Sequence, residues 1–580
     1  MLLLCSTLAF VVPFAPSPAP QGTSDLPTVH HVLTYDANGS PPRWNVELEV
    51  AGLADAEGEV ALELPDWGEW TDVDSYVLQG LESDPPLVPD EDEPHWFVVE
   101  RPDRWNGKLR ASYSLLTTRV HSRAQQAKGL LPWRSETYTH GFSSNTLMMP
   151  RVDRATLEVE RTLHVRAPKR WTVITGWGGV AKGEQRIDVP AGGHNTVIAM
   201  GAPVGVRGEV RDGLRFDLVQ FGGEADYTAE LHATLERIAQ DVAATSGQVL
   251  DEFRVVVTEP GFGGTRVEGA ISVGASPSFL AGGADPYTLH FLAHELFHDW
   301  QPGDRDPGNG AMQWFFEGFT DYFALWHLVR VGAVDRGFFA RRLLDIESEV
   351  SRHAEWETVS FGDESVRWRG CPNEDVAYKG GALFAFQIDV ALREAGEPGL
   401  TALLRDFLAG GGFDHAWFRG WLDAHGLAEL RARSFDGVER VDVAAALEAI
   451  GYARSDEEVH LTYFGIETTA PEEGRVVESI DPDGPSADRG LQVGDRIFGY
   501  YPTRSESVRV RPDLETPYRF GLTLFEPTIS GWYVDVLRDG EELQIELEPW
   551  LSPGGLRAGI GPGPDGATDA FFADPPETDD

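Results

Sequence analysis

The stretch HELFHDW at residues 294–300 places two histidines four positions apart, with a glutamate directly after the first. Residues i and i+4 of an α-helix lie on one face, so His294 and His298 can direct their imidazoles at a single metal ion. Glu295 lies beside them, where a carboxylate can take a proton from water at the metal. Because so short a pattern also occurs by chance in amphipathic helices, residues elsewhere must decide between the two interpretations.

A second helical stretch, WFFEGFTDYF at 314–323, offers the missing ligand. Glu317 follows His298 after eighteen intervening residues and is surrounded by large apolar side chains. Burying a lone carboxylate there is unfavourable unless it is paired or bound to a metal. The ten-residue loop QPGDRDPGNG allows the two helices to pack antiparallel, so that Glu317 faces the histidines. Two histidines, one carboxylate and an open fourth position are typical of a catalytic zinc site.

Asp321 lies one helical turn beyond Glu317 on the same face. Ligating histidines usually donate their second ring N–H to a carboxylate or carbonyl, and Asp321 is suitably placed to accept it. The two helical stretches therefore predict one Zn²⁺ per chain, with His294, His298 and Glu317 as ligands and Asp321 supporting a histidine.

HELFH followed by EGFTDY resembles the gluzincin metallopeptidases, in which a glutamate on the next helix is the third zinc ligand. The spacing is similar to that of the aminopeptidase N and leukotriene hydrolase family. FLAHELFHDW with WFFEGFTDYF also resembles the glycyl aminopeptidase family, whose members carry a PDZ domain after the catalytic one. The resemblance covers roughly 214–550. It implies a thermolysin-like, mostly helical peptidase domain with Glu295 as general base, acting on peptides whose N-terminal residue is small, such as Gly or Ala.

Glu268, in GGTRVEGAISV, precedes His294 by 26 positions, near where related aminopeptidases have a glutamate that binds the free amine of the substrate. This resemblance predicts that Glu268 and Gly264 contact substrate from a strand edge lining the cleft, where an extended peptide can pair with main chain. The family motif Gly-Ala-Met-Glu-Asn is absent, and the alternative for Glu268 is an ordinary exposed acid. An endopeptidase is the expectation if Glu268 does not bind an amine.

Tyr378, in VAYKGGALFAF, resembles the tyrosine that stabilises the oxyanion in related enzymes, although the spacing to the Lys-Gly pair is one residue short. Such a donor contributes about 3–4 kcal/mol in comparable sites. The alternative is a buried core tyrosine. His290, one turn before His294, is predicted to be too far from the ion and to serve in packing or at the surface. Cys371 is predicted to be a plain buried thiol.

The segment YFGIETTAPEEGRVVESIDPDGPSADRGLQVGDRIFGY resembles a PDZ domain. PDZ domains bind extended chain ends by adding a strand next to a carboxylate-binding loop. The resemblance places that loop at Tyr463, Phe464, Gly465 and Ile466, so a peptide C-terminus is a possible second partner. A domain that only braces the peptidase remains an alternative, as does a non-catalytic scaffold with a residual metal site.

Pattern and composition along the 580 residues predict a multidomain α+β protein. Residues 1–22 form an apolar run ending in small residues and prolines, which is typical of a signal peptide. Alternating short strands predict an N-terminal antiparallel β-sandwich over 25–205. Helical periodicity predicts a mostly helical domain over 206–452, which the resemblance implies is thermolysin-like. Strands return over 458–550, the domain that resembles a PDZ domain. The Gly/Pro/Asp-rich remainder, 551–580, is predicted to be a disordered acidic tail.

The charge balance excludes one class of partner. The chain has 93 acidic and 48 basic residues, a formal net charge of −45, and such a surface repels nucleic acid and anionic lipid. No segment after the first is apolar and long enough to span a membrane in the mature chain. The acidic charge predicts that the protein binds no nucleic acid. The signal-peptide-like segment predicts a secreted, periplasmic or cell-envelope protein, and the resemblance implies that it acts on peptides.

Overall fold

The computed structural model describes residues 26–573 apart from breaks, of which the longer ones are 65–77, 118–131, 275–285, 302–310, 369–375, 481–488 and 503–531. The predicted signal peptide, Cys371, Phe464 and Gly465 lie outside the described residues. Within the described ranges, no helix combines the length and the apolar character needed to cross a membrane.

The N-terminal region, residues 26–201, consists of short strands in three sheets. The sheet orders are β15-β12-β1-β2-β7-β4, β11-β10-β3-β6-β5 and β14-β13-β16-β9-β8. The strands are β1 Thr28–Asp36, β2 Arg43–Ala51, β3 Val60–Glu63, β4 Leu78–Asp84, β5 Leu87–Pro89, β6 Trp96–Val99, β7 Leu109–Leu116, β8 Trp133–Arg134, β9 Tyr138–Phe142, β10 Met149–Val152, β11 Ala155–Thr156, β12 Glu160–Arg166, β13 Thr172–Thr175, β14 Gly179–Lys182, β15 Glu184–Val189 and β16 Val197–Gly201.

Alternation of apolar and polar residues explains these strands. In β2, Trp44, Val46, Leu48 and Val50 are buried, while the residues between them are more exposed, as the two-residue period of a strand requires. The pairs are antiparallel except that β1 runs parallel to β12. The predicted sheet region is therefore present, with three sheets and one parallel pair.

The central region, residues 205–449, begins with a mixed sheet of order β17-β18-β19-β21-β20 and continues in helices. Its strands are β17 Gly205–Arg211, β18 Leu214–Phe221, β19 Glu252–Thr258, β20 Gly263–Val267 and β21 Ala270–Gly274. Its α-helices are α1 Thr228–Ser246, α2 Pro286–Phe297, α3 Thr320–Arg330, α4 Arg336–Val350, α5 Ala354–Thr358, α6 Gly381–Glu394, α7 Thr401–Ala409, α8 His415–Ala424, α9 Ala428–Leu430 and α10 Val443–Ala449. Three π-helical turns, Trp314–Phe319, Val376–Gly380 and Arg431–Phe435, and the 3₁₀ turn His298–Trp300 complete it.

The sheet of the central region is buried on both faces. In β19, Phe253, Val255 and Val257 join the core formed with the helices. Val256, between them, packs instead into a cluster shared with the third N-terminal sheet, where Tyr138 of β9 stacks on Phe221 of β18 with ring centroids 5.5 Å apart. This is why residues 255–257, VVV, are apolar without alternation. The N-terminal and central regions thus share a core across the predicted boundary at 205.

The C-terminal region, residues 452–573, contains an antiparallel sheet of order β23-β24-β25-β26-β27 and a two-stranded ribbon of β22 with β28. β23 lies at the sheet edge. The elements are β22 Tyr452–Tyr463, β23 Ile466–Thr468, β24 Arg475–Ile480, β25 Arg496–Pro502, β26 Trp532–Arg538, β27 Glu541–Leu547, β28 Trp550–Pro562 and helix α11 Asp569–Phe572.

The prediction of a disordered tail over 551–580 is wrong for its described part. β28 pairs with β22, so the β structure extends beyond both predicted bounds, 458 and 550. Phe571 and Phe572 of α11 are 4% and 7% exposed and join the core of the central region, where both contact Phe339. Nη1 of the Arg330 guanidinium donates to the carbonyl of Phe572 over 2.7 Å. Burial of two adjacent phenylalanine side chains lowers the free energy of the folded segment. The composition of the segment, rich in Gly, Pro and Asp, does not indicate this contribution. The architecture is nevertheless multidomain α+β, as predicted.

Candidate metal centre and active site

The two predicted metal-binding helical segments pack against each other in opposite directions. His290 and His294 of α2 face Asp321, and His298, one turn later, faces Glu317, which lies one turn earlier in the second segment. Phe297 stacks on Phe323 at 5.0 Å between ring centroids and holds the pair together. Glu317 lies in the π-helical turn Trp314–Phe319, and such turns are frequent at functional sites.

Three side-chain atoms converge at this crossing. Nε2 of His294 lies 3.1 Å from Nε2 of His298, and Oε2 of Glu317 lies 3.3 Å from each of the two nitrogens. These residues form a group of potential metal ligands within the described part of the chain. Zinc bonds of about 2.0–2.2 Å in tetrahedral geometry separate ligand atoms by about 3.3 Å, which the triangle matches.

Hydrogen bonds on the far side of each histidine fix the ring orientation. Nδ1 of His298 lies 2.8 Å from Oε1 of Gln301, and Nδ1 of His294 lies 3.3 Å from Oδ1 of Asp321. With the N–H at Nδ1 donating to these acceptors, each Nε2 presents a lone pair to the centre of the triangle. The amide of Gln313 donates to Oε1 of Glu317 over 2.8 Å and leaves Oε2 directed at the histidines.

The centre of the triangle favours positive charge. Burial disfavours the protonated imidazole of His294, but the carboxylates of Asp321 and Glu317 outweigh it and raise its pKa to about 10. Burial alone would raise the pKa of Glu317, yet the neighbouring histidines hold it well below its usual range. Two imidazoles and a carboxylate that stabilise a cation in this way fit a divalent zinc ion.

His290 lies outside the ligand triangle, as predicted, and packs inside rather than at the surface. It is 4% exposed, and its Nε2 lies 2.9 Å from the carbonyl oxygen and 3.3 Å from Oδ1 of Asp321. The positive field of His290 and the hydrogen bond from His294 overcome burial and lower the pKa of Asp321. Asp321 therefore remains an anion that supports the ligand His294.

We expect Asp321→Asn to lower the affinity for zinc by about 10–100-fold, because the neutral amide is a weaker acceptor for the His294 N–H. Competition with a fluorescent chelator measures the affinity directly. Asp251→Asn, at an exposed position on the same region, is the matched control and should leave the affinity unchanged. Equal affinity in Asp321→Asn and the native chain would contradict the assignment.

Glu295 is positioned by the edge strand β20. Its carboxylate accepts a hydrogen bond from the main-chain N–H of Arg266, and its pKa is raised by burial against the opposing influence of His294 and His298. Gly264 lies over the same carboxylate: a Cβ there would be 3.1 Å from Oε1 of Glu295 and 2.7 Å from the ring of Phe291. Gly264, which was predicted to contact substrate, thus limits the space available to the Glu295 carboxylate.

Gly264→Ala should reduce turnover by about tenfold or more with zinc content unchanged, because the added methyl displaces β20 or the Glu295 carboxylate. The comparison is with Gly420→Ala, where a Cβ meets no atom within 4 Å. Turnover and bound zinc are measured on the same samples. A Gly264→Ala enzyme as active as the Gly420→Ala enzyme would show that this close approach is unimportant.

Tyr378 lies at the zinc site. Its ring stacks on that of His294 with centroids 6.0 Å apart and an interplanar angle of 15°. It belongs to the π-helical turn Val376–Gly380, which packs against the turn carrying Glu317. The next residue, Lys379, is 6% exposed and pairs with Glu349 at 2.9 Å, which anchors the turn.

The predicted position of Glu268 on the cleft-lining strand is wrong. Glu268 lies in the turn between β20 and β21, and its carboxylate accepts hydrogen bonds from Trp177 Nε1 and from the main-chain N–H groups of His194 and Asn195. These donors belong to the N-terminal region. The carboxylate is therefore bound there rather than held open for a substrate amine.

Sequence reasoning missed several supporting residues. Gln301, directly after the 3₁₀ turn, orients His298, and Gln313, directly before the π-helical turn, orients Glu317. Arg266, the basic residue of GGTRVEGAISV, donates from Nε to Asp299 over 2.9 Å and connects β20 to the residue after His298. As the basic residue of this stretch, it was the available clue.

No family model matches the chain, and no curated protein is similar to it in sequence. Among solved structures, an aminopeptidase N family protein from Idiomarina loihiensis matches with a TM-score of 0.67 and 17% identity, over 94% of this chain and 100% of that one. The two proteins share one fold. LTA4 hydrolase from yeast, solved with bestatin, matches with a TM-score of 0.44 and 15% identity over 74% and 71% of the chains. An M1 zinc metallopeptidase from Deinococcus radiodurans gives 0.44 and 14% over 70% and 91%.

Proposed function

We propose that this chain is a zinc-dependent peptidase with one Zn²⁺ held by His294, His298 and Glu317. The observation that carries the proposal is the triangle of Nε2, Nε2 and Oε2 atoms, 3.1–3.3 Å apart, with the buried Glu295 beside it. A non-catalytic scaffold with a residual metal site needs neither a confined Glu295 nor supporting bonds behind each ligand. The aminopeptidase N family fold agrees with the proposal.

Each side chain has a role in peptide hydrolysis. Zinc, when bound, supplies a Lewis acid that polarises a carbonyl and lowers the pKa of water. Glu295 accepts the proton of the attacking water, and its raised pKa suits it to return that proton to the leaving amine. Tyr378, next to His294, donates its hydroxyl hydrogen to the oxyanion that develops on the carbonyl.

Glu295→Gln should lower kcat by about 10²–10⁴-fold, because the amide cannot accept the proton, while zinc remains bound. The assay is hydrolysis of a peptide mixture, with metal content measured in parallel. Removal of zinc by a chelator and its restoration provide the second arm. Activity that survives the substitution would rule out Glu295 as the base.

Within this class, the resemblance to glycyl aminopeptidases favours removal of small N-terminal residues such as Gly or Ala by a secreted or cell-envelope enzyme. β20 is a sheet-edge strand beside Glu295, where an extended peptide can pair with main chain. The alternative is an endopeptidase. The contacts of Glu268 favour the endopeptidase, because the carboxylate predicted to bind the substrate amine is bound to the N-terminal region instead.

A digest of matched peptides decides between the two activities. An aminopeptidase releases single residues stepwise from peptides with free N-termini and leaves acetylated copies intact, because only the free amine is recognised. Mass spectrometry of the products over time is the measurement. Cleavage of the acetylated copies at internal bonds would establish the endopeptidase instead.

For the C-terminal region we propose a PDZ-like role. Support comes from the sequence resemblance and from β23, which begins at Ile466, the last residue of the proposed carboxylate loop, and lies at the edge of its sheet. An edge strand can pair with an added peptide strand. A peptide C-terminus is accordingly the proposed ligand of this region.

A further inference from the structure

The hairpin of β20 and β21 ends in a two-residue turn, Glu268–Gly269, that is bound to the N-terminal region. Oε1 of Glu268 accepts from the main-chain N–H groups of His194 and Asn195 over 2.7 and 3.2 Å, and Oε2 accepts from Nε1 of Trp177 over 2.9 Å. Hydrogen bonds to a carboxylate are about twice as strong as neutral ones. The tip of the hairpin is therefore held by a charge-assisted set of bonds.

The main chain of the turn is bound as well. The N–H of Glu268 donates to the carbonyl of Asn195 over 2.9 Å, and the hydroxyl of Thr196 donates to the carbonyl of Glu268 over 2.8 Å. Backbones approach so closely that a Cβ at Gly176 would lie 2.2 Å from the Glu268 carbonyl oxygen, and one at Gly269, with φ +69°, 2.3 Å from the Gly176 oxygen. All four hydrogen-bonding atoms of Glu268 thus have partners in the N-terminal region.

The same strand, β20, confines the general base. The main-chain N–H of Arg266 donates to Glu295, and Gly264 lies against Phe291 and Glu295. Arg266 is two residues from Glu268, about 7 Å along an extended strand. Among the described strands β20 pairs with β21 alone, so its placement depends on that pairing, on the bond from Arg266 to Asp299 and on the bound tip.

We propose that Glu268 and Trp177, with the main chain of His194 and Asn195, form a clamp through which the N-terminal region sets the position of β20 and of Glu295. Glu268 and Trp177 are positioning residues in this arrangement, and the inference rests on the proposed peptidase function. The N-terminal region is then a working part of the active site although its residues lie away from the zinc ligands.

The test combines Glu268→Gln, Trp177→Phe and the double variant. Glu268→Gln places an NH₂ group against N–H donors, and Trp177→Phe removes one donor from the same carboxylate. We expect kcat to fall by at least about fivefold in Glu268→Gln and less in Trp177→Phe, with KM for short peptides and bound zinc within about twofold of the native chain. The double variant should be no worse than Glu268→Gln, because both changes break one unit.

Two controls match the substitutions. Trp105→Phe removes an indole N–H that donates to Lys108 in the same N-terminal region, and Glu184→Gln neutralises an exposed carboxylate there. Both should leave kcat unchanged. A rise in KM for free-amine peptides with native kcat in Glu268→Gln would instead identify an amine anchor and overturn the clamp. The clamp would also be overturned if the kcat losses of the two single variants multiplied in the double variant, or if the control variants lost kcat to the same extent.

Hydrogen–deuterium exchange separates the clamp from the proposed activity. Amides of 263–274 should exchange faster in Glu268→Gln and Trp177→Phe than in the native chain or the controls, whatever reaction the site performs. Native exchange at these amides in both variants would overturn the clamp even if the enzyme is a peptidase. If the amides exchange faster in both variants but the native chain has no peptidase activity, the clamp is upheld and the proposed function is rejected.

Discussion

Three electron-pair donors pointing at one spot repel each other unless a cation lies between them. The two imidazoles and the carboxylate of this centre are held in that arrangement by acceptors behind the histidines, Gln301 and Asp321, and by a donor behind the carboxylate, Gln313. Positive charge at the centre offsets the unfavourable free energy of holding the three donors together. This is why the carboxylates of Asp321 and Glu317 raise the pKa of His294. The antiparallel helical segments, the π-helical turn that carries Glu317 and the hydrogen bonds behind the three side chains all maintain this arrangement.

The constraint reaches the sheet through Glu295. A general base works when its carboxylate is held within a hydrogen bond of the proton that it takes, and a glutamate side chain has several rotatable bonds. Here the Arg266 amide and the bare backbone at Gly264 restrict it from one side. Because β20 is short and lies at an edge, that restriction depends on the packing of the N-terminal sheets. Rigid support for the base is thus obtained from a region that contributes no ligand.

The convergence of His294, His298 and Glu317 could be predicted from sequence because their spacing is local: four positions within a helix, then one loop to the next helix. The burial of Glu317 among aromatics was readable for the same reason. The partners of Glu268 could not be predicted, since Trp177, His194 and Asn195 are distant in sequence and pairing across that distance leaves no trace in a single chain. Its place in a turn could be predicted, because Gly269 directly after it is a turn signal that argues against a strand edge.

The C-terminal helix α11 has a consequence for the order in which the protein can be completed. Phe571 and Phe572 fill part of the same core as the zinc-binding helices, yet they are translated after the whole C-terminal sheet. A nascent chain that has already made the metal ligands still exposes Phe339 and its neighbours to solvent. Such aromatic surface is prone to aggregation and to recognition by chaperones. Synthesis of residues 569–572 therefore marks the moment at which the central region can close, well after its metal-binding residues have left the ribosome.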